Sequence, residues 1–263
     1  MARQMGRYGP YPLCAPWRTL VVIATNQKKS ARMNTVNNRL KGLGVMLAII
    51  GLAFIAGGGF AYYKTDQGAK SLQAFSAAQN VTLSYNESGQ LVDRGETEGA
   101  QAIMSLLTND WGYAVNTADF NPNDPLVNTA SEYMYQMATI AHHTLTGTTT
   151  VVLDTDVTAA DGTVFKAGSY EFATDGRYWT GFDRANPIEA IARDKVWTGT
   201  THALIAELGV GSVTASALQI GIGVAALLAG FGATILFTGL GLVWATRAQT
   251  ERVKVPALRP ATA

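Results

Sequence analysis

The sequence has few of the residues on which chemistry at a site usually depends. It holds one cysteine, Cys14, and three histidines among 263 residues. A single cysteine excludes an intrachain disulfide and any zinc site built from two or four cysteines. The chain also has no Gly-x-Ser-x-Gly elbow, no Gly-Lys-Ser/Thr phosphate loop and no His-Glu-x-x-His pair. We therefore expect no cofactor, no metal and no catalytic residue, and an enzyme is the less favoured interpretation.

Two predominantly apolar stretches have no charged residue. One covers residues 43–63, which number 21, and the other covers residues 213–246, which number 34. A helix needs roughly 20 apolar residues to cross the hydrocarbon of a bilayer. We predict a transmembrane helix in each stretch. Residues 64–212 between them are enough for a domain with its own core.

Acidic residues are absent from residues 1–42, which hold eight basic ones. The tail, residues 247–263, has four basic residues and one acidic residue, whereas residues 64–212 have 18 acidic and 8 basic ones. Basic residues near the ends of spans favour the cytoplasmic side. We expect a multi-pass protein of the plasma membrane, in contact with lipids, with both termini cytoplasmic and residues 64–212 outside. The basic arm has no fold around it, so no nucleic-acid partner is expected.

The start of the chain allows more than one interpretation. Residues 1–32 are either a cytoplasmic arm or an over-long translation start, with Met33 as the true start, and we favour the second. Residues 43–63 either form the first span or belong to a signal peptide that is cut after Ala61. The second span is expected in both cases.

Periodicity and turn residues between the spans predict an α+β domain, a small antiparallel sheet carrying helices. Two helix starts stand out, one at Asp124 with Pro125 and one at Asn186 with Pro187, because each pairs an N-cap residue with a proline at the first helical position. The predicted helices are 67–79, 96–107, 126–145, 187–196 and 201–208, and the predicted strands are 81–85, 148–153, 163–172 and 177–180.

Three partial motifs have a structural explanation. Gly221, Gly223 and Ala226 match a dinucleotide fingerprint but lie inside a predicted span, where small residues serve helix packing. His142 and His143 are adjacent, so on a helix they point about 100° apart and do not share a metal ion readily. The carboxylates from Asp154 to Asp161 resemble part of a calcium loop, but position six lacks glycine and position twelve lacks glutamate, so a turn is favoured.

The aromatic residues of the domain allow two interpretations, core packing or a surface for a glycan or partner. They form three groups: Trp111 with Tyr113, Tyr178 with Trp179 and Phe182, and Trp197.

Small residues in the two spans predict how the helices meet. Helices associate in lipid by close approach of their backbones, which small residues permit. We expect these stripes to face each other within one chain, or between copies if the first span is removed. The residues are Gly44, Ala48 and Gly51 in the first span and Gly223, Ala226, Gly230, Thr234 and Thr238 in the second.

Three segments resemble a group of uncharacterised actinobacterial two-span integral membrane proteins: residues 85–95 (YNESGQLVDRG), 121–134 (NPNDPLVNTASEYM) and 175–183 (DGRYWTGFD). The resemblance extends over residues 33–247 and implies two spans in a bacterial plasma membrane. Some members carry an aromatic-ring-opening dioxygenase label. This chain shows no iron-site motif, so the resemblance implies no catalytic residue.

The favoured function is a structural, interaction or accessory module of the cell envelope. Its partner would be another protein, or a second copy bound through the spans or the outer domain. One alternative is an envelope enzyme whose site forms only in three dimensions, and a cleft carboxylate close to His142 or His143 would favour it. The other alternative is a transport component, although neither span holds a charge or a histidine.

Overall fold

The computed structural model describes residues 17–252, with side chains from residue 32 to residue 247. This part of the chain is mostly helical, with two small antiparallel sheets of two strands each. The elements in chain order are α1 (Trp17–Gln79), α2 (Thr97–Ser105), α3 (Ala130–Thr146), β1 (Thr148–Leu153), β2 (Val157–Thr158), β3 (Val164–Phe165), β4 (Gly168–Ala173), α4 (Pro187–Val196) and α5 (Gly199–Arg252).

α1 and α5 are single long helices of 63 and 54 residues. The sequence predicts separate helices over 67–79 and 201–208, whereas the structure continues each of them into its apolar stretch without a break. α5 continues through Gly211 without a break. A Cβ atom at this position would lie 2.7 Å from two ring carbons of Tyr133. Only glycine lets the helix approach that ring. Packing against Tyr133 therefore accounts for the glycine at this position.

Both long helices display their apolar side chains on the surface. Their most apolar windows have a mean hydropathy of 2.2, and only 17% and 11% of those windows are buried. Ile49, Phe237 and Trp244 are among the exposed side chains. By length and composition, the described chain thus has two helices that can cross a membrane.

The chain forms two compact units, Met1–Gly59 with Ala226–Ala263, and Phe60–Ala225. In the first unit, α1 and α5 run antiparallel and touch through glycines. A Cβ atom on Gly232 would lie 2.7 Å from the carbonyl oxygen of Gly51, and one on Gly239 would lie 2.5 Å from the carbonyl oxygen of Gly44. The paired glycines are seven residues apart on each helix, the period of a left-handed coiled coil.

The residues predicted for helix packing fall into two groups. Gly44 and Gly51 lie in the contact, and the backbone nitrogen of Ala48 would lie 2.6 Å from a Cβ atom on Gly239. A Cβ atom on Gly223 or Gly230, by contrast, would have open space around it.

Ala226, Thr234 and Thr238 are exposed, and the two threonine hydroxyls donate to carbonyls of their own helix. At 100° per residue, Gly230 and Thr234 lie roughly opposite Gly232 on α5. α5 therefore has two faces of small residues. α1 covers the face with Gly232 and Gly239, whereas the sequence predicted contact through the face with Gly230 and Thr234. Contact between copies through the other face stays a prediction.

We expect Gly232→Leu to destabilise the helix pair and Gly230→Leu to be tolerated. The first side chain would meet backbone atoms, and overpacking costs about 1–3 kcal/mol, so the unfolding midpoint in detergent should fall by roughly 5 °C. The second should stay level or rise, because leucine forms helix better than glycine. Equal midpoints for both variants would show that the glycine contact does not stabilise the protein.

Two clusters of buried side chains form the core of the second unit. One lies around α2 and α3 and includes Leu83, Ile103 and Leu107. The other lies where the β1–β4 sheet meets α4, around Val151 and Ile188. The strand predicted over residues 148–153 is present as β1, which pairs with β4 from Thr148↔Ala173 to Leu153↔Gly168. The small antiparallel sheet expected from the sequence is confirmed.

The predicted start of α3 is wrong, whereas that of α4 is confirmed. Instead of starting after Asp124, α3 begins at Ala130, with Thr129 as its N-cap in a reciprocal capping box with Glu132. The backbone N–H of Val127 donates to Val81 at 2.9 Å, so this stretch is held in strand-like pairing. Asn186 caps α4 as expected, accepting from Ile188 at 2.9 Å.

Two predicted strands are not strands in the structure. Residues 177–180 are irregular and belong to two successive turns, closed by Arg177 N to Thr174 O and by Gly181 N to Tyr178 O. Residues 81–85 pair only through isolated bridges, Thr82 with Leu126 and Tyr85 with Leu91.

Candidate functional site

The closest approach of a carboxylate to a histidine joins two distant parts of the chain. Nε2 of His143 lies 2.8 Å from Oδ2 of Asp93, and the side chains are only 29% and 15% exposed. Asp93 begins a tight turn in which it exchanges both backbone hydrogen bonds with Glu96. Arg94 and Gly95 have φ values of 52° and 90°, as hairpin turns with two left-handed residues require. The turn fixes Asp93, and α3 presents His143 to it.

Asp93 also lines a cleft of about 160 Å³ between the hairpin of residues 82–93 and α3. Its polar side chains are hydroxyls and one amide, from Thr82, Ser84, Gln136 and Thr139. Arg94 stands at the exposed rim. The site thus combines one paired carboxylate with several neutral hydrogen-bonding groups.

Tyr135 lies at the buried side of this cleft with its hydroxyl unused. Its Oη is one of three buried polar side-chain atoms in the described chain that have no hydrogen-bond partner, with Tyr85 Oη and Arg193 Nη1. Burial raises the pKa of Tyr135, and the charge of Asp93 raises it further. Burial likewise raises the pKa of Tyr85, with Glu132 adding to the effect. Both phenols therefore stay protonated and available as donors.

Glu132 is the most deeply buried charged side chain near the site, at 1% exposure. Its Oε2 accepts from Asn128 N, Thr129 N and Thr129 Oγ1 at 3.1, 2.9 and 2.9 Å. Burial raises the pKa of Glu132 and outweighs these hydrogen bonds. Glu132 therefore orders the start of α3, next to Tyr85.

The two adjacent histidines have different surroundings. The rings of His142 and His143 are 6.0 Å apart, and burial, followed by the neighbouring His143, lowers the pKa of His142. His202 lies elsewhere, with its ring 5.6 Å from Trp197 and 5.1 Å from Trp179. Within the part of the chain that the structure describes, no three His, Cys, Asp or Glu side chains are placed to hold a metal ion.

The aromatic groups mostly contact each other. Trp111 Nε1 donates to the Tyr178 hydroxyl at 2.8 Å, and Tyr178 stacks on Trp197 at 5.9 Å between ring centroids. The guanidinium of Arg193 lies 4.2 Å from the ring centroid of Trp179. Trp197 and Phe182 are buried, so they serve core packing, whereas Tyr178 keeps an exposed face.

The carboxylates that resemble a calcium loop are committed to turns. Asp156 pairs with Lys166 at 2.8 Å and accepts from the backbone of Ala167, and these two contacts lower its pKa. Asp161 accepts from Thr163 N and Oγ1, both at 2.9 Å. Asp161 also lines the larger cleft of this region, about 470 Å³. Because its polar groups already bond within the protein, that cleft is the weaker candidate.

These features define a class: a mostly helical protein with a small antiparallel sheet and two long apolar helices. No family model, curated protein or solved structure matches the chain. The site therefore has to be interpreted from its own residues.

Sequence reasoning singled out His143 but missed Asp93 and Tyr135. The Asp-Arg-Gly-Glu segment carries a turn signal, yet nothing in it points to a histidine 50 residues away. Tyr135 follows the apolar pattern of α3 and looks like an ordinary core residue. No local pattern distinguishes a tyrosine with a free hydroxyl from one with a partner.

A double-mutant cycle should detect coupling between Asp93 and His143. We expect Asp93→Asn and His143→Gln each to lower stability, with a coupling energy of about 1 kcal/mol because the pair is largely shielded from water. The matched control is the exposed Asp156–Lys166 pair, where a cycle of Asp156→Asn and Lys166→Gln should show no measurable coupling. Additive effects at Asp93 and His143 would contradict a stabilising pair.

Glu132→Gln should change how stability depends on pH. The pKa of Glu132 in the fold is raised above its ordinary value of 4.5. The folded chain therefore binds this proton more readily, and the stability linked to it is full below that value and falls as pH rises through the folded pKa. Glutamine keeps an acceptor for Thr129 but has no proton to lose.

The variant should therefore gain stability relative to the native protein as the pH rises above 4.5. His142 acts in the opposite sense, since its lowered pKa costs stability as pH falls below its ordinary value of 6.5. Because His142 is present in both proteins, the difference between their curves of stability against pH reports the titration of Glu132 alone. Parallel curves across this range would contradict the raised pKa.

Proposed function

We propose that the chain is a two-span integral membrane protein of a bacterial plasma membrane. The observation that supports this is the exposure of the apolar windows in α1 and α5, which are 17% and 11% buried. A core helix of a soluble protein would bury such residues, because exposed apolar surface of this extent is unfavourable in water. Lipid tails are the surroundings that suit both helices.

The distribution of charge supports an orientation. In the antiparallel pair, Arg39 and Lys41 precede Gly44 on α1, and Arg247 follows Gly239 on α5, so these basic residues lie at the same end. We propose that this end faces the cytoplasm. The acidic segment from residue 64 to residue 212 then lies outside, with both termini inside.

We further propose that the outer residues act as an interaction or structural module of the cell envelope. They form two packed cores, and in the residues that the structure describes no hydroxyl or thiol is hydrogen-bonded to His143 as a nucleophile would be. A partner protein or a second copy would complete such a module. Purification in mild detergent should yield a stoichiometric partner or a defined oligomer, whereas a lone monomer would count against this function.

One observation favours an envelope enzyme as the second candidate. Asp93 holds His143 at the edge of a cleft, and a carboxylate that orients an imidazole is a common arrangement for a general base. One variant distinguishes the interaction module from the enzyme. Asp93→Asn removes the carboxylate that holds His143, so an enzyme should lose its activity, whereas a module that binds its partner outside the cleft should keep that partner.

Reporter fusions test the orientation directly. Alkaline phosphatase is active only outside the cytoplasm, so a fusion at Gly162 should be active and a fusion after residue 254 should be inactive. A β-galactosidase series at the same positions serves as the reciprocal control. The reverse pattern of activities would overturn the proposed topology.

A further inference from the structure

We propose that the cleft between the hairpin of residues 82–93 and α3 binds a small neutral ligand with several hydroxyl groups, of the size of a single sugar ring. This inference goes beyond the proposed function. It rests on the second unit alone and does not depend on which way the protein faces in the membrane.

The lining of the cleft suits such a ligand. Hydroxyl and amide side chains both donate and accept hydrogen bonds, as the hydroxyls of a sugar do. Ser84 and Gln136 make no side-chain hydrogen bond within the described chain, so both are free to bind. Thr139 Oγ1 donates to Tyr135 O at 3.0 Å, which leaves its lone pairs for a ligand hydroxyl.

Charge at the cleft favours a neutral ligand over an ion. Asp93 and Arg94 carry opposite charges, and Oδ2 of Asp93 is already paired with His143. The other carboxylate oxygen remains as an acceptor for a hydroxyl. An anion would meet the charge of Asp93 and a cation that of Arg94, so neither gains a net electrostatic attraction from this pair.

The inner wall of the cleft is apolar and its volume is small. Leu83 and Tyr135 are both buried beneath it, and aromatic or aliphatic walls pack against the C–H face of a sugar ring. The 160 Å³ correspond to about five water molecules at roughly 30 Å³ each. This space suits one ring and is too small for a peptide segment.

The unused hydroxyl of Tyr135 adds an independent observation. Its Oη is buried without a partner beside Asp93, and a buried donor in this state is unfavourable. Because this Oη is closed off from water in the structure, the Tyr135 side chain has to shift toward the cleft before a ligand hydroxyl or a bridging water supplies the missing acceptor. Binding would thereby satisfy a hydrogen bond that the protein does not make by itself.

The test uses the full-length protein in a polyoxyethylene detergent, because detergents with sugar head groups would compete. Glucose, N-acetylglucosamine and myo-inositol are titrated by calorimetry and by saturation-transfer NMR, alongside glutamate and inorganic phosphate. A ring of about twelve heavy atoms at ordinary ligand efficiency should bind with a Kd on the order of 1 mM. We expect at least one neutral probe to saturate and the two charged probes to bind more weakly or not at all.

The variant Ser84→Ala with Gln136→Ala should weaken that probe about tenfold, as expected for two lost hydrogen bonds of this kind. Thr146→Val, an exposed position at the end of the same helix, is the matched control and should bind within about twofold of the native protein. The melting curves of all three proteins establish that each is folded. If the double variant unfolds, Thr139→Val, which removes one hydroxyl of the lining, takes its place in the same titration.

The proposal would be overturned by no saturation by any neutral probe, by tighter binding of glutamate or phosphate than of the sugars, or by unchanged binding in the folded variant. The first two are measured on the native protein, so they do not depend on how any variant folds. Loss of binding in Thr146→Val would also contradict the assignment, because that side chain lies outside the cleft.

Discussion

Close approach of α1 and α5 is the constraint on which the first unit depends. Backbone atoms of Gly51 and Gly44 occupy the space that side chains on Gly232 and Gly239 would need. Hydrophobic burial does not drive helix association in lipid, so van der Waals contact between backbones has to supply the attraction. If the helices cross a membrane as we propose, this contact holds the antiparallel pair together. The outward apolar side chains then contact lipid tails and add little to the association.

The second unit is stabilised by burial of apolar side chains in its two core clusters. Its buried polar groups are concentrated along α3. That helix begins with Glu132 buried in a capping box, passes Tyr135 with its unused hydroxyl and ends near His143, which Asp93 holds. Buried polar groups are costly unless they are paired. Their concentration along one helix distinguishes the Asp93 cleft from the larger cleft at Asp161, where turns already use the polar atoms.

Local signals predicted most of the secondary structure and failed where long-range pairing competed with them. Asn186 with Pro187 started α4 as expected, but the similar signal at Asp124 with Pro125 did not start α3. The difference is that the backbone N–H of Val127 donates to the carbonyl of Val81, a long-range contact that the local sequence does not predict. The predicted end of a helix at residue 208 is also wrong, since α5 continues through Gly211, where the ring of Tyr133 leaves no space for a Cβ atom.

The two apolar helices, the asymmetry of charge around them and the small sheet can be predicted from the sequence. These follow from composition and periodicity, which act over a few neighbouring residues. Only the tertiary structure decided that Asp93 meets His143, that Tyr135 is left without a partner and that α5 turns Gly232 rather than Gly230 toward α1. Each of these depends on which faces of two distant segments come together, and several faces offer similar local chemistry.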